Sequence, residues 1–164
     1  SCLQGWATEG EGTTGGKGGP IHLVSNADEF AKALIEKSPK SIHIAGEIKL
    51  TKPARIDSDS TIIGVGPGAK IIGGGLQLRR VCNIIIQNLV ITEAPDAISV
   101  EESHHVWIDH CDLSRCRDGL VDIKRGSDFV TVSWNRFHDH HKTSLLGHSD
   151  KPAIGEIDRR RLRV

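Results

Sequence analysis

Apart from one early segment, the apolar residues of this chain recur in short runs with little helical spacing. The runs read "SIHIAGEIKL", "STIIGVG", "AKIIGG", "NIIIQNLVI", "HVWIDHCDL" and "DFVTVSWNRF", and each is bounded by Gly, Pro, Asn, Asp or Ser. Short β-rich runs between turn-forming residues predict strands. The exception is "SNADEFAKALIEKSPK", where Ala27, Phe30, Ala31, Leu34 and Ile35 mark one helical face. Ser25 followed by Asp28 has the form of a capping box, so one short helix is expected near the amino end. Before it, "GWATEGEGTTGGKGGP" is glycine-rich and aperiodic and predicts a looped or extended lead-in.

The strand runs repeat. Asn83–Asn88 superposes on His105–His110 at an offset of 22 residues, and the latter superposes on Asp128–Ser133 at an offset of 23. A period in the twenties, with β-rich units and no second helix per unit, predicts an all-β solenoid: a right-handed parallel β-helix with a short amino-terminal capping helix. A leucine-rich horseshoe shares the period but lacks its leucine spacing here, and a sandwich would not hold a fixed offset. "GVGPGA" contains a GxGxxA string, yet "KIIGGG" comes after it in place of a helix, which argues against a dinucleotide fold.

The period gives the polar residues their meaning. Asp96 and Asp118 are 22 residues apart, one coil, so they are expected to stack at about 5 Å. Asp122 lies four residues on, an even spacing that returns it to the same strand face. Lys142 comes about one coil after Asp118, making "DAISV", "DGLVD" and "KTSLL" successive versions of one position. Two carboxylates that close repel by roughly 3 kcal/mol at an effective dielectric near 20. Either they share protons or a cation sits among them, and three carboxylates without a thiolate suit calcium best. An aspartate before a glycine is often a mere turn residue, which would account for any one of them but not for the column. His138 and His140, with His104 and His105, make zinc conceivable; no third ligand falls at matching spacing, so polar strand-end roles are the stronger reading.

Composition narrows the setting. The chain has 164 residues, enough for a single domain over 1–164, and 21 basic side chains balance 21 acidic ones. Bulk charge therefore points to neither nucleic acid nor an anionic membrane, and Arg159, Arg160, Arg161 and Arg163 read as a solvated terminal run. No apolar stretch approaches the ~18 residues of a membrane span, and no signal peptide opens the chain. Cys2, Cys82, Cys111 and Cys116 allow two disulfides in three pairings, or free thiols.

"HHVWIDHCDLS", "DGLVDIKRGSDFVTVSWNRFHDHHKTSLLGHSD" and "TIIGVGPGAKIIGGGLQLRRVCNIIIQNLVI" strongly resemble the family 1 pectate lyases, secreted parallel β-helix enzymes. The likeness runs from "GTTGGKGGP" to "LRV". It implies calcium ligands at Asp96, Asp118 and Asp122 and an active-site lysine at Lys142. It further implies calcium-dependent β-elimination on polygalacturonate by an extracellular monomer, giving 4,5-unsaturated oligogalacturonates. Calcium would bridge enzyme and substrate carboxylate, a base would take the C5 proton, and Lys142 would offset the developing charge. Lys124 and Arg125 could extend a basic groove. Two departures stand out. The Arg-x-Pro-Arg type of stretch that carries the base in the family does not occur, so the chain reads as the amino-terminal part of a lyase, or a form truncated at the carboxy end. The acidic residue usual before the active-site lysine is His141. The last coil is expected to expose an unpaired sheet edge. The alternatives are a non-catalytic β-helix that binds calcium or acidic polysaccharide, and a calcium-independent pectin lyase, which the aspartate trio argues against.

Overall fold

The structure, a computed structural model, describes residues 2–149 and 151–164. A single turn of 3-10 helix (Trp6–Thr8) precedes β1 (Ile21–Val24), helix α1 (Ala27–Ile35) and β2 (Lys40–Ile44). The chain then winds through β3 (Glu47–Lys49), β4 (Ala54–Arg55), β5 (Ser60–Gly64), β6 (Lys70–Ile72) and β7 (Leu76–Arg79). The next coils are β8 (Cys82–Gln87), β9 (Val90–Thr92) and β10 (Ile98–Glu101), then β11 (His104–Asp109), β12 (Asp112–Ser114) and β13 (Val121–Lys124). Finally come β14 (Asp128–Ser133), β15 (Arg136–His138), β16 (Ser144–Leu146) and helix α2 (Pro152–Arg161).

The strands line up as three parallel sheets: β1-β2-β5-β8-β11-β14, β4-β7-β10-β13-β16 and β3-β6-β9-β12-β15. This is the right-handed parallel β-helix that the repeat predicted. Aliphatic residues at matching positions fill the bore: Val106 stacks between Ile84 and Val130, and Ile108 between Ile86 and Val132. Val106 and Ile108 are fully buried. Each such stack is a continuous apolar column, the main favourable term in the fold.

The register corrects one expectation. Val106 pairs with Ile84 at an offset of 22 but with Val130 at 24, not 23. A one-residue slip would have turned every inward side chain of β14 out to solvent. The longer coil carries an extra residue in the turn before β13 and another in the turn at Gly126. Successive coils also place non-glycine residues in the left-handed region at the same corners: Asn88, His110 and Trp134 at one (φ 55, 52 and 53°), Arg80, Glu102 and Arg125 at another (φ 58, 49 and 58°).

Helix α1 forms where expected, but its cap is one residue on. Asn26 accepts the Glu29 amide at 3.0 Å, and the Glu29 carboxylate accepts the Ser25 amide at 2.8 Å. The buried face runs through Phe30 and Ala33, with Ala27 and Leu34 partly covered, while Ala31 and Ile35 face solvent. Lys40, fully buried, donates from Nζ to the Leu34 and Glu36 carbonyls, the latter at 2.7 Å, so a cation closes the helix's carbonyl end. The lead-in crosses the outside of the first sheet: the Ala7 amide donates to Thr131 Oγ1 at 3.0 Å and the Gly16 amide to Thr61 Oγ1 at 2.9 Å. A Cβ on Gly16 would lie 1.8 Å from the Lys40 carbonyl oxygen, which is why this segment is glycine-rich.

At the other end, the edge of β14 is not wholly open. The Arg163 carbonyl accepts the Val130 amide at 2.9 Å, and the Arg163 guanidinium pairs with Asp128, its Nε at 2.7 Å. Arg163 is thus tied to the fold, while Arg159, Arg160 and Arg161 are exposed as a solvated run would be. All four cysteines are free thiols, and burial pushes the Cys111 thiol up to about 12.

Candidate functional site

The second sheet presents the candidate site at its entry corner. Asp118 and the adjoining Gly119 together oppose Asp96: the Asp118 amide donates to the Pro95 carbonyl at 2.8 Å, and the Ala97 amide to that of Gly119 at 3.1 Å. Two residues against one is a bulge, and it re-aims the carboxylates at this point. Asp96 Oδ1 accepts the Gly119 amide at 2.9 Å, which fixes its side chain across the coils. Asp118 is exposed and takes Lys142 Nζ on Oδ1 at 2.6 Å, while its carbonyl oxygen meets His140 Nε2 at 2.6 Å.

Asp122 lies on β13, paired in register with Ser99 on one side and Leu145 on the other. Its carboxylate is buried over Gly119, where a Cβ would stand 2.1 Å from Oδ1. Lys124 Nζ lies 3.7 Å from Asp122 and 3.4 Å from Glu101, which Arg79 and Arg125 also approach at 3.7 and 3.5 Å. A groove of about 550 Å³ opens here, lined by Asp118, Asp122, His141, Lys142, Thr143 and Leu145.

Electrostatics couples these groups. Burial raises the Asp122 carboxyl above its ordinary value, and the charges of Asp96 and Asp118 push it the same way against Lys124. The hydrogen bond and charge of Lys142 hold Asp118 below the ordinary range, and Asp118 raises Lys142 in return. One buried carboxylate is therefore poised toward protonation while its exposed neighbour stays ionised.

The expected column is thus partly realised. Asp96, Asp118 and Asp122 are brought within electrostatic reach and Lys142 contacts Asp118. Lys142, however, stacks on Gly119, because Val121 pairs with Ser144 at an offset of 23 rather than 24. Among the described residues no three His, Cys, Asp or Glu side chains converge tightly enough to enclose a metal. The histidines do not form a zinc site either. His138 lies between Asp112 at 2.7 Å and Asp139 at 2.9 Å, which raise it above the ordinary imidazole value, and His104 pairs with His105 at 2.8 Å between Nδ1 atoms. Gly119 escapes a reading of the sequence, because the extra residue in its turn leaves the flanking strand patterns intact.

Coupled carboxylates and a lysine thus lie along one parallel sheet of the solenoid. The chain belongs to the pectate lyase family, whose model matches residues 2–164. It is 42% identical over 161 residues to pectate lyase plyB of Emericella nidulans, covering 92% of this chain and 49% of that protein. It is likewise 42% identical over 155 residues to the pectate trisaccharide-lyase of Thermotoga maritima, covering 86% and 42% of the two. The chain spans about half the length of the curated relatives it matches. Among solved structures, the pectate lyase of Bacillus sp. N165 in complex with trigalacturonate superposes with a TM-score of 0.82 at 32% identity, covering 94% of this chain and 58% of that one. The cedar pollen allergen jun a 1 gives 0.81 at 31%, covering 92% and 53%. No helix is long and apolar enough to cross a membrane among the described residues.

Proposed function

We propose that this chain serves the calcium-dependent β-elimination of polygalacturonate, with Asp96, Asp118 and Asp122 as calcium ligands and Lys142 as the cationic active-site residue. The observation that carries this reading is the gathering of Asp96, Asp118 and Asp122 around Gly119 at one corner, where the Asp122 carboxyl is raised first by burial and then by the charges of the other two. The donor set fits calcium chemically: hard carboxylate oxygens, no thiolate, and an open groove that leaves coordination positions for water and substrate carboxylates. Calcium bound there supplies a Lewis acid that acidifies the proton next to a uronate carboxyl.

The chain's own residues do the rest. Asp96 is oriented by the Gly119 amide and Asp122 by the space above Gly119, so both need little reorganisation. Lys142 neutralises Asp118 until an ion enters; its ammonium is then free to meet the charge that develops on the substrate. Lys124 keeps a positive charge beside Asp122, which favours its ionised form. A polymeric substrate is met outside the cell, which favours a secreted protein. The relatives named as pectate lyases support the activity, and the Bacillus complex with trigalacturonate supports the substrate class.

A second reading starts from coverage, since these residues span about half the length of the curated relatives they match. On that reading the chain binds calcium and acidic polysaccharide without turning it over. Ultraviolet absorbance of the 4,5-unsaturated product, with calcium and then with chelator, decides between them. A calcium-dependent rise supports the lyase. Calcium binding without any rise supports the binding fragment, and absence of both refutes the assigned site.

A further inference from the structure

A second cavity, of about 830 Å³, lies at the far end of the second sheet's strands, where the chain turns into the first sheet beneath α2. Its size falls in the range of roughly 300–1,000 Å³ that small-molecule sites occupy. None of the assigned calcium or lysine residues lines it.

Its charge is unbalanced by construction. Arg80 is matched by Glu102 at 3.0 Å, and Arg163 by Asp128. Arg161 makes no ion pair among the described residues, and its stem lies over Gly126. Arg125 Nε lies 3.5 Å from Glu101, a carboxylate that Arg79 and Lys124 share, and its Nη2 lies 3.4 Å from His148 Nε2. That Nε is buried against Glu101 outside hydrogen-bond geometry, so charge alone holds it there. Arg161 therefore faces the cavity with its charge unpaired, and Arg125 shares its one carboxylate with two other cations. His104 adds no further charge, since burial and the neighbouring His105 depress its protonation.

The remaining wall joins Ser103, His104 and His105 to two apolar side chains: Phe129, whose ring carries the Arg163 guanidinium at 4.0 Å, and Ile157, which reaches down from α2 with 47% of its surface exposed. Asp158, buried on the same helix, accepts the Gly126 amide at 2.6 Å and the His148 amide at 2.9 Å, which fixes α2 as the cavity's roof. Arginines beside Phe129 and Ile157 suit a ring with a hydrocarbon face and a carboxylate, whereas a bare inorganic anion would use only half of the site.

We infer that the cavity between Arg125, Arg161, Phe129 and Ile157 is an accessory site for a uronic acid residue, separate from the calcium groove and independent of calcium. The anion preference comes from the cavity alone; the choice of a uronate rests on the pectate reading. The test uses the full chain in excess chelator, so that metal-mediated binding is silent. Galacturonic acid, galactose and inorganic phosphate are each titrated while the amide resonances of Phe129, His104 and Ile157 are tracked. Galacturonic acid is expected to shift all three and saturate, with galactose and phosphate at least about tenfold weaker. Arg161→Gln, on an exposed side chain, should lower the galacturonate affinity about tenfold, as loss of a charge-assisted hydrogen bond does. Asp122→Asn should leave it unchanged. Equal binding of phosphate or galactose, no saturable shift, or indifference to Arg161→Gln would each overturn the assignment. Failure of the pectate reading would appear elsewhere, as absence of calcium-dependent product in a chain that still binds galacturonate in chelator.

Discussion

Gly119→Ala is the sharpest probe of the calcium groove, because it adds one carbon at a known place. That carbon would lie 2.1 Å from Asp122 Oδ1 and 2.7 Å from its Cγ. Gly119 does not occupy the left-handed region, so alanine fits its backbone. The side chain of Asp122 is the part that must yield. Non-bonded atoms settle near 3.5 Å, so the carboxylate moves by more than about 1 Å. Calcium holds its oxygens within roughly 2.3–2.6 Å, and a displacement of that size removes Asp122 from the ligand set. Changes to groups that orient a ligand typically cost about 10–100-fold in affinity. Isothermal titration with calcium should show a loss in that range, with a melting temperature close to the parent's because the bore is untouched. An affinity within about twofold of the parent, in a folded variant, would refute the idea that the space over Gly119 positions a metal ligand.

The same geometry sets other outcomes. Lys142→Met should lower the rate of product formation by about 10²–10³-fold, as loss of a transition-state donor does. The same variant should bind calcium up to about fivefold more tightly, because Lys142 no longer competes for Asp118; weaker binding by titration would contradict that competition. Asp122 carries a raised carboxyl, so calcium affinity should begin to fall on acidification at a pH above its ordinary 3.8, read from titrations across pH 4–7. For the metal-free fold the sign is opposite. A raised acid contributes stability below its ordinary value and loses it as pH rises through the raised one, so Asp122→Asn should melt higher than the parent near neutrality and equal it in acid. Lys40→Met leaves the Leu34 and Glu36 carbonyls without their donor and should cost about 1–3 kcal/mol by denaturant unfolding.

The way a solenoid is built decides which of its features are legible in sequence. Stacked coils repeat their apolar positions, so the 22-residue offset between Asn83 and His105 is readable, and with it the placing of Asp96 over Asp118. Local chemistry is readable too, since α1 ends where its apolar spacing does. Insertions are not, because an extra residue in a turn leaves the strand's pattern intact and shifts only the residues after it. The offset of 24 between Val106 and Val130 is hidden for that reason, and so is the pairing of Lys142 with Gly119. The left-handed residues Asn83, His105 and Phe129 conceal the register further, since each sits inside its own strand run and interrupts the alternation. Burial is the other hidden variable. Asp96, Asp118 and Asp122 are equivalent letters in the sequence, yet one is exposed and held down by Lys142 while another is buried and raised. That asymmetry comes from the turn residue Gly119, which both orients Asp96 through its amide and admits the Asp122 carboxylate where a side chain would stand. The site's chemistry is therefore set as much by a missing methyl as by the carboxylates that the period reveals.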